Sequence, residues 1–184
     1  MYFADSRWWH WHAKAGWPKG HKLPLGLAAA EVQKRFAEFT GEKVTIENTG
    51  MMIPDPAIHM LHNHSARGVG VSGNGGLSEE PNALCTGANG GYQQVNFATL
   101  AGAAKVLLIG YDMHFPGGRS HFHGGHPVKV PEDKYAQYAG YYKSMLPALA
   151  RLGCEVVNCS PGSRITCFRF STIAEELQRD EVRG

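Results

Sequence analysis

The sequence lacks any apolar run approaching the roughly 20 residues a membrane-spanning helix needs, and its start lacks the basic-then-apolar pattern of a secretory signal. It also lacks charge imbalance. Lys and Arg total 18 against 16 Asp and Glu, and a net +2 provides no strong pull toward nucleic acid, an anionic membrane or an acidic partner. Cysteine is scarce: Cys85, Cys154, Cys159 and Cys167 contain no C-x-x-C pair, and three lie in or beside apolar segments, where a thiol behaves as a small hydrophobe. A cytoplasmic chain with reduced, buried thiols is therefore expected. There is no internal repeat and no low-complexity tract, and 184 residues suit one domain spanning 1–184 with a sizeable core.

Histidine and tryptophan are plentiful instead, with ten and four copies, and the histidines gather at 10–12, 59–64 and 114–126. Clustering of that kind points to a site. Along the chain, residues 1–5 read as the end of a short strand, and Ser6 as the cap of a helix carrying Arg7, Trp8, Trp9, His10, Trp11 and His12. Close-set Gly and Pro make the next segment a loop. Leu27, Val32, Phe36 and Phe39 approximate helical spacing, with Gly41 standing where a left-handed C-terminal cap is wanted. Residues 43–47 alternate as a strand, residues 57–61 form a second short one, and 63–80 is a Gly-, Ser- and Asn-rich loop.

The clearest stretch follows. A small-residue turn at 86–92 leads into a helix to about 101, and then 105–110 forms a continuous apolar run of the kind found in a central strand buried on both faces. A long helix is expected from 131 to 152, stopped by Gly153, then strands at 155–158 and 165–168 and a final helix from 172 to about 179 capped by Ser171. Strands alternating with helices predict an α/β, Rossmann-like, mainly parallel sheet with helices on both faces. Such sheets bind ligands beyond the carboxyl ends of their strands, so the loops after Asp5, Ile109 and Val157 share one edge.

Three constellations could carry chemistry there. In Thr86, Gly87, Ala88, Asn89, Gly90, Gly91 and Tyr92, glycines at a helix N-terminus let backbone N–H groups approach a phosphate; the plain alternative is a tight turn that needs left-handed glycines. Asp112, within the run Tyr111, Asp112, Met113 and His114, follows the apolar strand and can orient a ribose hydroxyl or a reacting group, or simply cap the turn. Beside Arg119, His121, His123 and His126 crowd into six residues, where an imidazole can act as a general base, ligate a metal or hydrogen-bond within the loop.

The run H-x-H-x-x-H resembles the H-x-H-x-D-H motif of the metallo-β-lactamase superfamily, with Gly125 in place of the Asp and no later histidine; His10, His12, His62 or His64 would have to complete a zinc site. Otherwise His59, His62 and His64 read as ordinary loop histidines. Of Trp8, Trp9 and Trp11, two are expected in the core and one is left for stacking on a base or sugar.

Residues 87–112, with a small-residue turn, a helix ending Leu100-Ala101-Gly102-Ala103 and a strand ending Gly110-Tyr111-Asp112, resemble the central block of a Rossmann-like group. That group includes bacterial CMP-sialic-acid-dependent sialyltransferases, MptE-like pterin diphosphokinases and small phage and prophage proteins. The phage proteins are also similar around Ala4, Asp5, Arg7, Trp8 and Trp9, at 117–127 and at 157–168, the best-matched part being 77–127. The resemblance implies a nucleotide or its phosphate beside Asn89, Gly90 and Gly91, a nucleotide-sugar donor near Asp112, and His121 or His123 as the base activating an acceptor hydroxyl, with no cofactor metal. It also implies that the family's first strand and its Gly-x-Gly-Pro-Ser-like loop, half of the expected cradle, are missing from this chain. The readings that follow are a glycosyltransferase-like protein, a zinc-dependent hydrolase using His121, His123 and His126, and a non-catalytic phage accessory protein that pairs with a partner or a second copy through an exposed sheet edge.

Overall fold

The computed structural model describes residues 1–3, 6–14, 28–47, 53, 55–64, 75–119 and 130–183. All ladders among them are parallel, and they fall into two sheets, so the α/β class expected from the sequence is the one observed. The first sheet has the order β1 (Tyr2–Phe3), β2 (Lys43–Ile46), β3 (Ile58–Asn63), β4 (Ala83–Leu84). The second has the order β5 (Lys105–Leu108), β6 (Glu155–Asn158), β7 (Arg169–Phe170). The helices are α1 (Ser6–Lys14), α2 (Ala29–Glu38), α3 (Gly90–Leu100), α4 (Glu132–Tyr141), α5 (Leu146–Leu152) and α6 (Ile173–Arg183). No described helix is long and apolar enough to cross a membrane, and all four cysteines are free thiols, Cys167 being the one that is only half-buried.

α3 serves both sheets. It leads from β4 to β5, and it also receives β1, because Tyr2 donates its hydroxyl to Gln93 Oε1 at 2.7 Å and its ring stacks on Phe97. Burial holds the Tyr2 phenol far above its ordinary range, so it stays a neutral donor. The main core lies under α3 and α5, where Tyr92, Val95, Leu108, Tyr142, Met145, Leu149, Val156 and Ile165 pack together; Phe3, Trp9, Phe36, Ile53 and Ile58 form a smaller one. Trp9 is thus a core residue, as expected for two of the three tryptophans. The side chains of Trp8 and Trp11 lie outside the described part.

Several expectations need correction. The helix foreseen over 131–152 is interrupted, with 3₁₀ geometry at Tyr142–Met145 between α4 and α5. Pro147, in the first turn of α5, has no N–H to give and cannot continue a regular ladder. Gly153 does stop α5 in a left-handed cap, φ 66°. Gly41 does not do so for α2, which ends through an extended Phe39; Gly41 instead makes room for the Phe39 ring, which a Cβ would meet at 2.8 Å.

The apolar run at 105–110 is not a central strand buried on both faces. β6 occupies the centre of its sheet, β5 stops at Leu108, and Ile109 is 58 % exposed. The strand expected at 165–168 forms instead just after it, as β7 at Arg169–Phe170: Ile165 and Phe168 are used to fill the core, and the Ile165 carbonyl is taken by the Asn158 side chain at 2.9 Å. β4 was not foreseen, because two residues carry no alternation. The cap of α6 is Thr172 and not Ser171. Thr172 and Glu175 hold each other's backbone N–H groups in a capping box, while Ser171 adds its hydroxyl to the Glu175 carboxylate.

α6 is anchored by charge. Glu176 is fully buried and takes both ends of the Arg169 guanidinium at 2.6 and 2.7 Å, with Lys105 Nζ at 3.5 Å. The Arg169 guanidinium holds the Glu176 carboxyl at about 2 against the opposing effect of burial. A carboxyl depressed on folding stabilises above its unfolded value and loses that stabilisation as pH falls through the folded one. Acid unfolding followed by circular dichroism is therefore expected to show a limb between about pH 4.5 and 2, and Glu176→Gln is expected to lower stability at neutral pH and to flatten that limb.

Candidate functional site

The turn after β4 is built by sequence-local chemistry. Gly87 and Ala88 both adopt left-handed backbone, φ 51° and 56°. This brings Asn89 to the N-cap of α3, where its Oδ1 accepts from the Tyr92 N–H at 2.9 Å. The rest of the Asn89 amide is also engaged: Nδ2 donates to the Gly87 carbonyl at 2.8 Å, and Oδ1 accepts a second bond from the Tyr142 hydroxyl at 3.1 Å. Two of the glycines serve packing. A Cβ at Gly87 would stand 1.9 Å from the Tyr92 ring, and one at Gly91 would meet the Tyr111 ring at 2.7 Å. At Gly90 a Cβ would meet nothing within 4 Å. The N–H groups of Gly90 and Gly91 make no hydrogen bond among the described residues, whereas the Thr86 hydroxyl accepts from the Ala88 N–H at 3.4 Å.

The loop after β5 meets this turn through tyrosines. Tyr111 donates its hydroxyl, shared between the Gly91 carbonyl and Gln94 Oε1 at 3.3 Å each, and its ring lies edge-on to Tyr142, which lies edge-on to Tyr92. Burial pushes the Tyr92 and Tyr111 phenols up to about 12, and that of Tyr142 further, so all three remain neutral hydrogen-bond donors throughout the physiological range. The two parallel strands β5 and β6 end in register, and their loops are stitched together: Ser160 Oγ accepts from the Tyr111 N–H at 2.8 Å, and the Asp112 carbonyl accepts from the Arg164 N–H at 2.9 Å. The same Asp112 carbonyl lies 2.9 Å from His114 Nδ1, while no hydrogen bond or ion pair reaches the Asp112 carboxylate among the described residues. Met113 beside it is left-handed, φ 54°, a strained conformation for a side chain with a Cβ.

The turn at 86–91 and the segment holding Asp112 are therefore joined at the carboxyl ends of β4 and β5. His121, His123 and His126 lie outside the described residues, as do Asp5 and the loop that follows β1. No group of three or more His, Cys, Asp or Glu that could hold a metal occurs among the described residues, His10, His12, His62 and His64 included.

The reading of His62 and His64 as ordinary loop histidines is corrected. His62 is in β3 and His64 directly follows it. Each is paired with a carboxylate: His62 Nδ1 lies 3.1 Å from Glu47 Oε1, and His64 Nε2 lies 3.3 Å from Glu80 Oε1. Glu47 follows β2, so only the parallel register of β2 and β3 brings it to His62. The i, i+2 spacing of the two histidines at a strand end was the one signal in the sequence that places them on a common face. His59 is exposed on the same strand.

No family model matches the chain, and no curated protein and no solved structure matches it either.

Proposed function

We propose that the chain is a glycosyltransferase-like protein that binds a nucleotide or nucleotide-sugar beside the turn at 86–91, with Asp112 at the reacting centre. A histidine of the 121–126 segment, His121 or His123, is the base that takes the proton of an acceptor hydroxyl. The observation that carries this reading is the meeting of two strained turns at the carboxyl ends of β4 and β5, with an unpartnered Asp112 carboxylate in one and open backbone N–H groups at Gly90 and Gly91 in the other. Left-handed non-glycine residues such as Ala88 and Met113 cost on the order of 1–3 kcal/mol each and concentrate at ligand sites. Unpaired N–H groups at a helix start attract a phosphate through both hydrogen bonding and the helix dipole.

In this reading the phosphate rests on the N–H groups and not on the Asn89 side chain, whose partners are already within the protein. Asp112 accepts from a ribose or sugar hydroxyl. Calorimetric titration with CMP and with UDP is expected to detect binding, and Asp112→Ala is expected to weaken it about tenfold, the loss of one charge-assisted hydrogen bond. If neither nucleotide binds, or if Asp112→Ala binds as tightly as the parent, the reading is discarded.

A further inference from the structure

At the end of β3 the His64 imidazole stands between a hydroxyl and a carboxylate. Its Nδ1 is 2.9 Å from Ser78 Oγ and its Nε2 is 3.3 Å from Glu80 Oε1. The Glu80 N–H donates to Ser78 Oγ at 3.3 Å, and the Glu80 carboxylate beside Nε2 favours the neutral tautomer with its proton on Nε2, in which Nδ1 accepts from the Ser78 hydroxyl. That is the protonation state of an activated serine, in which the base offers a lone pair to the hydroxyl and a carboxylate holds the opposite side of the ring.

The backbone beneath these groups is rigidly held. The His64 N–H donates to the Leu84 carbonyl at 3.0 Å, and the buried Asn96 side chain clamps both the N–H and the carbonyl of Ser78 at 2.9 Å. The N–H of Glu79, immediately after the serine, makes no hydrogen bond among the described residues and is available to an oxyanion.

We propose that Ser78, His64 and Glu80 form an acyl-transfer site, distinct from the nucleotide reading above, with Ser78 as nucleophile, His64 as base and Glu80 as a positioning residue. Ser78 Oγ forms a bond to the carbonyl carbon of an ester while its proton passes to His64 Nδ1. The tetrahedral species then breaks the bond from that carbon to the alkoxy oxygen, which takes the proton and leaves as an alcohol. Water repeats the sequence on the acyl-serine, releasing a carboxylic acid and restoring the hydroxyl. Ser78 is only 2 % exposed and the His64 side chain 15 %, so the substrate class is esters of small, uncharged acyl groups.

The untreated full chain is expected to release nitrophenol from p-nitrophenyl acetate, and treatment with methanesulfonyl fluoride is expected to add one methanesulfonyl group to the peptide containing Ser78 and to abolish that release. His64→Gln and Ser78→Ala are each expected to reduce turnover by about 10³-fold or more. Glu80→Gln removes the carboxylate from a largely exposed side chain while keeping the backbone N–H; it is expected to lower turnover with the melting temperature unchanged, which a purely structural role would not produce. Absence of the Ser78 adduct on folded parent protein, or an adduct formed at the same rate in His64→Gln, overturns the proposal.

Discussion

Asn96→Ala is expected to lower stability by about 4 kcal/mol, because it orphans two buried donors and one buried acceptor at about 1–3 kcal/mol apiece. Asn96 is fully buried in α3, and its Oδ1 accepts from the N–H groups of Ser78 and Cys85 at 2.9 and 3.0 Å, while its Nδ2 donates to the Ser78 carbonyl at 2.9 Å. These three bonds fasten the segment before β4 and the first residue after it to the helix that follows. Ser78 and Cys85 are both buried, so the truncated side chain leaves each of these groups without its protein partner. For a chain of this length the loss corresponds to a melting temperature lower by about 8–16 °C, measurable by calorimetry or circular dichroism. A change of less than about 1 kcal/mol would mean that the clamp is not holding the turn.

Gly87→Ala is the second large effect, at about 3 kcal/mol. Two costs add. The residue has φ 51°, which costs an L side chain about 1–2 kcal/mol, and its new Cβ would stand 1.9 Å from the Tyr92 ring. Moving that ring disturbs the hydroxyl that donates to the Gly76 carbonyl at 2.7 Å and pairs with Ser144 at 2.9 Å, and overpacking of this kind costs about 1–3 kcal/mol. Gly90→Ala is the matched control. A Cβ there meets nothing within 4 Å and lies in the first turn of α3, so stability is expected to hold or rise by up to about 1 kcal/mol. Denaturant melts of the pair separate the two positions. Equal stabilities would show that the Gly87 contact with Tyr92 does not constrain the turn.

Much of the fold was legible because local signals agreed with it. The alternation in 43–46, the apolar spacing in α2, the turn that opens α3 and Gly153 after α5 all lie within one turn or one strand, where propensity and periodicity act directly. Elsewhere tertiary packing overrode the pattern. Ile165 and Phe168 look like a strand because they are apolar, yet the core draws them inward and the ladder forms at Arg169 and Phe170. The apolar run at 105–108 looks central, but centrality belongs to β6, and nothing within the run itself encodes its neighbours.

The site divides along the same line. Gly87, Asn89, Gly91 and Asp112 were all visible as residues, since Gly, Asn and Asp mark turns by their own conformational chemistry. Their partners were not. The tyrosines that require Gly87 and Gly91, and the Tyr142 hydroxyl that reaches Asn89, come from positions 5 to 53 residues away. The carboxylate beside His62 and the serine beside His64 likewise depend on strand register and on a loop closing, over separations of 15 and 14 residues.

By itself the sequence determined an α/β chain with parallel strands, the turn that starts α3 and the left-handed stop after α5, because these follow from backbone conformational preference and the burial of apolar surface. Tertiary structure alone decided which strand is central, which polar side chains are consumed in holding turns and which stand free, and that His64 lies between Ser78 and Glu80. The physical reason is that hydrogen bonds and ion pairs between segments distant in sequence depend on where the chain is brought together, and no local period of 2 or 3.6 residues carries that information.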